Sequence, residues 1–290
     1  PGQIFAVDVL STNNSKTSII YFVDGLEWTR PDFFVDNDIT VPRIPELAVE
    51  SGGKLWISTL RDGLVGYDGQ KWQLYDPDVS PDWLVKTPDG RLWTESWDLD
   101  GIASFDGQKW TTEFDTDKSL LAGPMTNTVL ASSTGKILLG TDQGLFQYDP
   151  VLNTITDLQL GQAHIRQIYE SAERVLWVGT DKGLFRLDGG NWQREFEDQV
   201  INTIGQTKKG ILRIGTSNGL YRFQNGEWIS ELVLAVNCFT ELADGTFLVG
   251  GNDVLRMKPA VDETVAMQTL LPGKLTAGLF LSSNGTLWCR

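Results

Sequence analysis

The chain has 290 residues, 41% of them hydrophobic, and a formal charge of −14. That charge repels phosphate backbones and anionic membrane surfaces, which argues against a nucleic-acid partner, and no apolar stretch is long enough to insert this chain into a bilayer. A single histidine, His164, cannot build an ordinary zinc site.

Eleven tryptophans and thirty glycines suit many short strands joined by tight turns. The two cysteines, Cys238 and Cys289, fall in predicted strands and read as buried, reduced thiols, since a disulfide framework needs more cysteines in a smaller chain. The opening PGQIFAVDVL lacks the basic-then-apolar layout of a secretory signal.

From the N-terminus, residues 2–7 (GQIFAV) read as a strand, and residues 18–30 (SIIYFVDGLEWTR) as two strands around an Asp-Gly turn. The chain then repeats itself every roughly 38 residues. Seven segments align without a gap: 47–56 (LAVESGGKLW), 84–93 (LVKTPDGRLW), 129–138 (VLASSTGKIL), 168–177 (IYESAERVLW), 204–213 (IGQTKKGILR), 239–248 (FTELADGTFL) and 279–288 (LFLSSNGTLW). Each is an apolar run, a polar turn and a second apolar run, the pattern of a β-hairpin. Glycine holds the turn in six of them, because the turn needs a positive φ, and Arg174 stands there once. After the hairpin, a polar loop leads to a third strand, an Asp/Asn-Gly turn and a fourth strand that opens at tryptophan.

Four antiparallel strands per repeat make one blade, and a blade buries its apolar faces only against neighbouring blades. The fold expected is therefore all-β: one domain over 1–290, a seven-bladed β-propeller of four-stranded antiparallel blades. The seventh hairpin ends at Arg290 without its third and fourth strands. Residues 18–30 supply them, so the last blade is shared between the N- and C-termini, which leaves few free edges. On that count GQIFAV is one strand too many. It either packs outside the ring or marks a longer array.

The consensus, carried most fully by VLWVGTDKGLFRLDGG at 175–190, GTDQGLFQYD at 140–149 and GTSNGLYRFQNGEW at 215–228, resembles the two-component regulator propeller repeat. The resemblance runs from Ser18 to Trp288 and is weakest at GNDVLRMK, residues 251–258. It implies a sensing propeller of a bacterial hybrid two-component system, extracytoplasmic (periplasmic or at the cell surface), that is non-catalytic and binds a small molecule, a glycan or a partner protein domain.

Blade two breaks the repeat. Glu95 stands where other blades have Gly140, Gly179 and Gly215. A carboxylate between packed blades must be paired or face water, so it is either an acidic group at the channel mouth or a salt bridge to the next blade. Trp97 and Trp83 fall outside the periodic core, and either offer aromatic platforms for a sugar or partner or cap blade edges. With Asp98, Asp100 and Arg61, these residues form the candidate ligand site on the loop face around blades one to three.

Asp98, Asp100 and the run Asp36, Asn37, Asp38 could supply oxygen ligands to calcium, but both places lack the full calcium-loop pattern, so no cofactor and no metal site are expected. Glu50, Glu170 and Glu241 lie on innermost strands. As channel carboxylates they would support a second reading, a carbohydrate hydrolase or lyase. A third reading is a scaffold or adhesion propeller. Streptogramin-lyase-type propellers rely on histidine and a metal, which one histidine does not furnish, and no phosphate loop, nucleophile elbow or Cys–His pairing appears.

Overall fold

The computed structural model describes residues 54–115 except 60–62, 69 and 80, and residues 126–253 except 243–244, with 254–258 as strand backbone. It also describes the strand backbones 4–12, 15–24, 27–29, 47–49, 266–271, 279–281 and 287–289. The N-terminal segment holds β1 (Ile4–Thr12), β2 (Ser15–Asp24) and β3 (Glu27–Thr29).

Six four-stranded antiparallel sheets follow, here called blades one to six. Blade one is β4 (Leu47–Val49), β5 (Leu55–Ser58), β6 (Leu64–Tyr67) and β7 (Trp72–Tyr75). Blade two is β8 (Val85–Lys86), β9 (Leu92–Ser96), β10 (Gly101–Phe105) and β11 (Trp110–Asp115). Blade three is β12 (Thr126–Ala131), β13 (Ile137–Thr141), β14 (Leu145–Asp149) and β15 (Thr154–Asp157). Blade four is β16 (Ile165–Glu170), β17 (Leu176–Thr180), β18 (Gly183–Asp188) and β19 (Asn191–Glu197). Blade five is β20 (Ile201–Gln206), β21 (Leu212–Thr216), β22 (Leu220–Gln224) and β23 (Glu227–Leu232). Blade six is β24 (Cys238–Glu241), β25 (Phe247–Gly250), β26 (Val254–Lys258) and β27 (Ala266–Leu271). The C-terminal pair is β28 (Leu279–Leu281) and β29 (Leu287–Cys289).

The first strands of successive blades are neighbours in chain order, from β4 beside β8 through to β24 beside β28. The hairpin turns behave as their sequences require. Gly90, Gly135, Gly210 and Gly245 have φ between 79° and 91°, and Arg174 takes the same left-handed conformation at 61°. The Asp-Gly turns before β7 and β11 are closed by the aspartate, since Asp68 and Asp106 each accept backbone N–H bonds from the residues two and three further on. At the opposite end of blades three, four and five, a threonine after the packing glycine closes the second loop. Thr141, Thr180 and Thr216 donate to the carbonyls of Gly144, Gly183 and Gly219 at 2.9–3.2 Å.

The core lies between blades. Trp56, Trp93 and Trp177, at one repeat position, are 1–7% exposed. The packing glycines keep the blades close. A Cβ on Gly140, Gly179 or Gly215 would come within 2.5–2.7 Å of a side-chain methyl, and in each case the next blade's Ile165, Ile201 or Val236 is among the atoms met.

Adjacent blades are also latched. Glu170 accepts bonds from Ser133 N and Oγ at 2.6 and 2.8 Å, Gln206 from Ala172 N at 2.9 Å and Glu241 from Lys208 N at 2.7 Å. Each side chain reaches from a first strand to the hairpin turn of the blade before it. Glu170 and Glu241 are therefore structural acceptors rather than a channel acid–base pair, and Glu50 lies outside the described residues.

The terminal sheet runs β28-β29-β1-β2-β3. Chain segments from both termini share it, with three strands from the N-terminus where the repeat count calls for two. GQIFAV does not pack outside. It forms the start of β1, which pairs in parallel with β29 at Phe5↔Trp288 and Ala6↔Cys289 and antiparallel with β2 from Ile4↔Val23 to Thr12↔Ser15. Strands joined by so short a connection pair with each other first.

Candidate functional site

Strands alternate in direction, so the loops between second and third strands share one end of the molecule with the connections between blades. In blade two that end is built from β9, the 3-10 turn η1 (Trp97–Leu99) and the connection that precedes β8. Ser96 stands where blades one, three, four and five have threonine and accepts the Asp98 N–H at 3.2 Å. Asp100 follows in the left-handed conformation, φ 53°. The carboxylates of Asp98 and Asp100 are exposed, in a loop facing solvent.

Glu95 sits in the blade two–three seam at the packing-glycine position. Its Oε2 accepts a bond from Thr126 Oγ1 of β12 at 3.1 Å and a long one from the Trp83 indole N–H at 3.4 Å. Thr126 occupies the place of Ile165 and Ile201 in the later seams, since each stands opposite the threonine after the glycine. Glycine and isoleucine have thus been exchanged together for a glutamate and a threonine that bond each other. Among the described residues no cation pairs with Glu95, and the partners seen there are neutral hydrogen-bond donors. Burial pushes the Glu95 carboxyl above its usual range, and the bonds from Thr126 and Trp83 partly offset this.

A second carboxylate lies beside it. The backbone N–H of Asp82 donates to the Glu95 carbonyl at 2.9 Å. Burial, with the negative charges of Glu95 and Asp98 adding to it, pushes Asp82 up to about 6.

Trp83 corrects the platform expectation. It is 4% exposed and packs with Trp93, Val129 and Leu139 between blades two and three, so it offers its N–H to Glu95 and no face to a ligand. Trp97 opens the 3-10 turn, and its side chain lies outside the described part of the structure. Arg61 and the run Asp36–Asp38 lie outside the described residues. The structure thus brings Glu95, Trp83, Asp98 and Asp100 to one end of blade two. Asp82 and Thr126 were missed by the sequence reading. Setting the opening residue of each first strand against its equivalents would have exposed Thr126.

Four-stranded antiparallel sheets, placed side by side in chain order with tryptophans and packing glycines in the seams, define a β-propeller. The chain is similar in structure to the extracellular domain of a hybrid two-component system from B. thetaiotaomicron, with 16% identity, a TM-score of 0.59, and cover of 99% of this chain and 49% of that one. It is similar to virginiamycin B lyase from Staphylococcus aureus, with 15% identity, a TM-score of 0.62, and cover of 81% and 87%. PorZ, a surface component of the type-IX secretion system of Porphyromonas gingivalis, gives 14%, 0.66, and cover of 86% and 44%. At these identities the likeness is one of fold. The chain spans about half the length of the two-component ectodomains it matches. No protein-family model matches the sequence, and no curated protein does. No helix among the described residues is long and apolar enough to cross a membrane.

Proposed function

We propose that this chain is a seven-bladed, non-catalytic recognition propeller of an extracytoplasmic sensor, with the terminal sheet as the seventh blade. It binds a small hydroxyl-rich ligand, a glycan above all, at the loop end of blade two. The repeat consensus and the fold likeness to two-component ectodomains support the sensor reading. The observation that carries the site is the Glu95–Thr126 exchange. The seams at Gly140, Gly179 and Gly215 need only close packing, whereas this one places a desolvated carboxylate where glycine packs more easily, and such local breaks of a fold's own rule mark function or strain.

Glu95, Asp98 and Asp100 supply acceptors for sugar hydroxyls, and the Trp97 indole a stacking face for the ring. Arg61, from the equivalent loop of blade one, completes the set. A second reading, a hydrolase or lyase, draws on the likeness to the lyase fold and on Asp82: a carboxyl that titrates near neutrality beside another is suited to general acid work.

A thermal-shift screen of the intact chain against neutral oligosaccharides tests the proposal, because a ligand that binds only the folded state raises Tm. A hit should lose roughly 1–3 kcal/mol of affinity in Trp97→Ala and all detectable binding in Glu95→Gly, with the stability of Glu95→Gly kept or raised. Undiminished binding in both variants overturns the site. Turnover of the hit by wild type, lost in Asp82→Asn, favours the enzyme.

A further inference from the structure

In blades two, four and five, the fourth strand carries a bulge, and the extra residue is a glutamate. Glu113, Glu195 and Glu231 lie at the register shifts between β10 and β11, β18 and β19, and β22 and β23. Each glutamate bonds or lies beside one position on the third strand, which has its cross-strand partner on the second. In blade two these are Ser104 and Trp93, in blade four Arg186 and Trp177, and in blade five Arg222 and Arg213, cross-strand partners in every case.

The first two glutamates have donors around them, and Glu113 also lies 3.9 Å from Arg91 Nη1. Ser104 Oγ donates to Glu113 at 2.7 Å. Arg186 is fully engaged, bonding Glu195 and Gln193 at 2.7 Å each and lying 3.4 Å from Asp188. Blade five differs, because arginine has replaced the repeat's tryptophan. Arg213 is 3% exposed, bonds both oxygens of Glu231 at 2.7 and 3.0 Å and lies 4.4 Å over the Phe247 ring of blade six. Arg222 stands directly opposite, with its Nε 3.8 Å from the same carboxylate. Like charges opposite each other on a sheet repel. Here two guanidiniums share one carboxylate, the only acid that faces them among the described residues. Two donors, Arg213 Nη1 and Arg222 Nε, are buried with no acceptor. A buried charged donor without an acceptor is strongly disfavoured, and guanidinium N–H groups are good anion ligands.

We propose that this cluster in blade five, at its seam with blade six, is a binding site for a small monovalent anion, of chloride size, held by Arg213 and Arg222. One unsatisfied nitrogen on each arginine, Nη1 of Arg213 and Nε of Arg222, suits a compact acceptor better than a bidentate oxyanion. The excess of one positive charge sets the valence. The half-exposed Arg222 side chain provides the way in. The site is remote from blade two and does not rest on the ligand proposed there.

The test is the melting temperature of the intact chain in sodium chloride against sodium gluconate at matched ionic strength. Chloride should give a saturable rise on the order of 2–4 °C relative to gluconate. Arg213→Trp, which restores the repeat residue, and Arg222→Ser, which copies blade two, should each abolish the difference. If Arg213→Trp fails to fold, Arg222→Ser decides. No chloride-specific rise in the wild type, or the same rise in a folded variant, overturns the site.

Discussion

Gly179→Ala measures how tightly the seams are closed. The added Cβ would lie 2.7 Å from Ile201 Cγ2, 3.0 Å from Ile201 Cβ and 3.3 Å from Ile204 Cδ1. Carbon atoms pack best about 3.5–4.0 Å apart, so blades four and five would have to separate by roughly 1 Å. Ile201 has nowhere to go: it is wholly buried among Trp177, Leu184, Ile204, Leu212 and Ile214. Overpacking of this kind costs about 1–3 kcal/mol, and alanine's smaller unfolded-state entropy offsets about 0.4–1 of that, leaving a net loss of about 1–2 kcal/mol. Urea denaturation should show a lower midpoint with an unchanged slope. Ile201→Leu removes the offending Cγ2 at nearly constant volume, so the double variant should be more stable than the sum of the singles predicts, by at least about 1 kcal/mol. A neutral Gly179→Ala, or strict additivity, would refute the packing-glycine account and with it the claim that Glu95 is an exception.

Two further outcomes follow from the terminal sheet and from Asp82. Folded Asp82 holds its proton up to about 6, whereas an unfolded aspartate releases it near about 3.9. The folded state therefore binds more protons between these values, and this residue's contribution to stability falls as pH rises through that window and is flat above it. Asp82→Asn should stabilise the protein at pH about 7.5 by roughly 1–2 kcal/mol, after discounting for solvent screening, and give no gain at pH about 3.5. Equal stabilisation at both pH values contradicts the shift. Deletion of residues 1–30 removes β1, β2 and β3 from the sheet that holds β28 and β29, which opens an edge there. It should lower Tm for the whole fold in one transition, and an unchanged Tm would sink the shared terminal blade.

The repeat made the hairpins legible because the turn glycines and the tryptophans recur at fixed spacing, and Arg174 was placed in a left-handed turn by alignment alone. Three features escaped for physical reasons. The bulge glutamates Glu113, Glu195 and Glu231 depend on one-residue slips in outer strands, where neither hydrophobic face is strongly enough buried for the pattern to fix the register. Trp83 looked like a loop residue because β8 is only Val85–Lys86, yet it fills the seam that a longer first strand fills elsewhere. Glu170 and Glu241 were rightly placed on first strands, but their use as acceptors for the preceding blade's turn depends on the distance between blades, which sequence does not carry. At the candidate site, the break at Glu95 was visible, while its answer, Thr126, lies 31 positions away.

Hydrogen exchange with the strongest oligosaccharide hit bound is the most direct test that blade two carries the recognition site. Amides of residues 82–84 and 95–101, together with Thr126 at the start of β12, should exchange more slowly with ligand present, and those of the opposite-end turns 87–91, 132–136, 171–175 and 207–211 should be unchanged. Protection confined to those turns, with residues 82–84 and 95–101 indifferent to the ligand, would contradict the account.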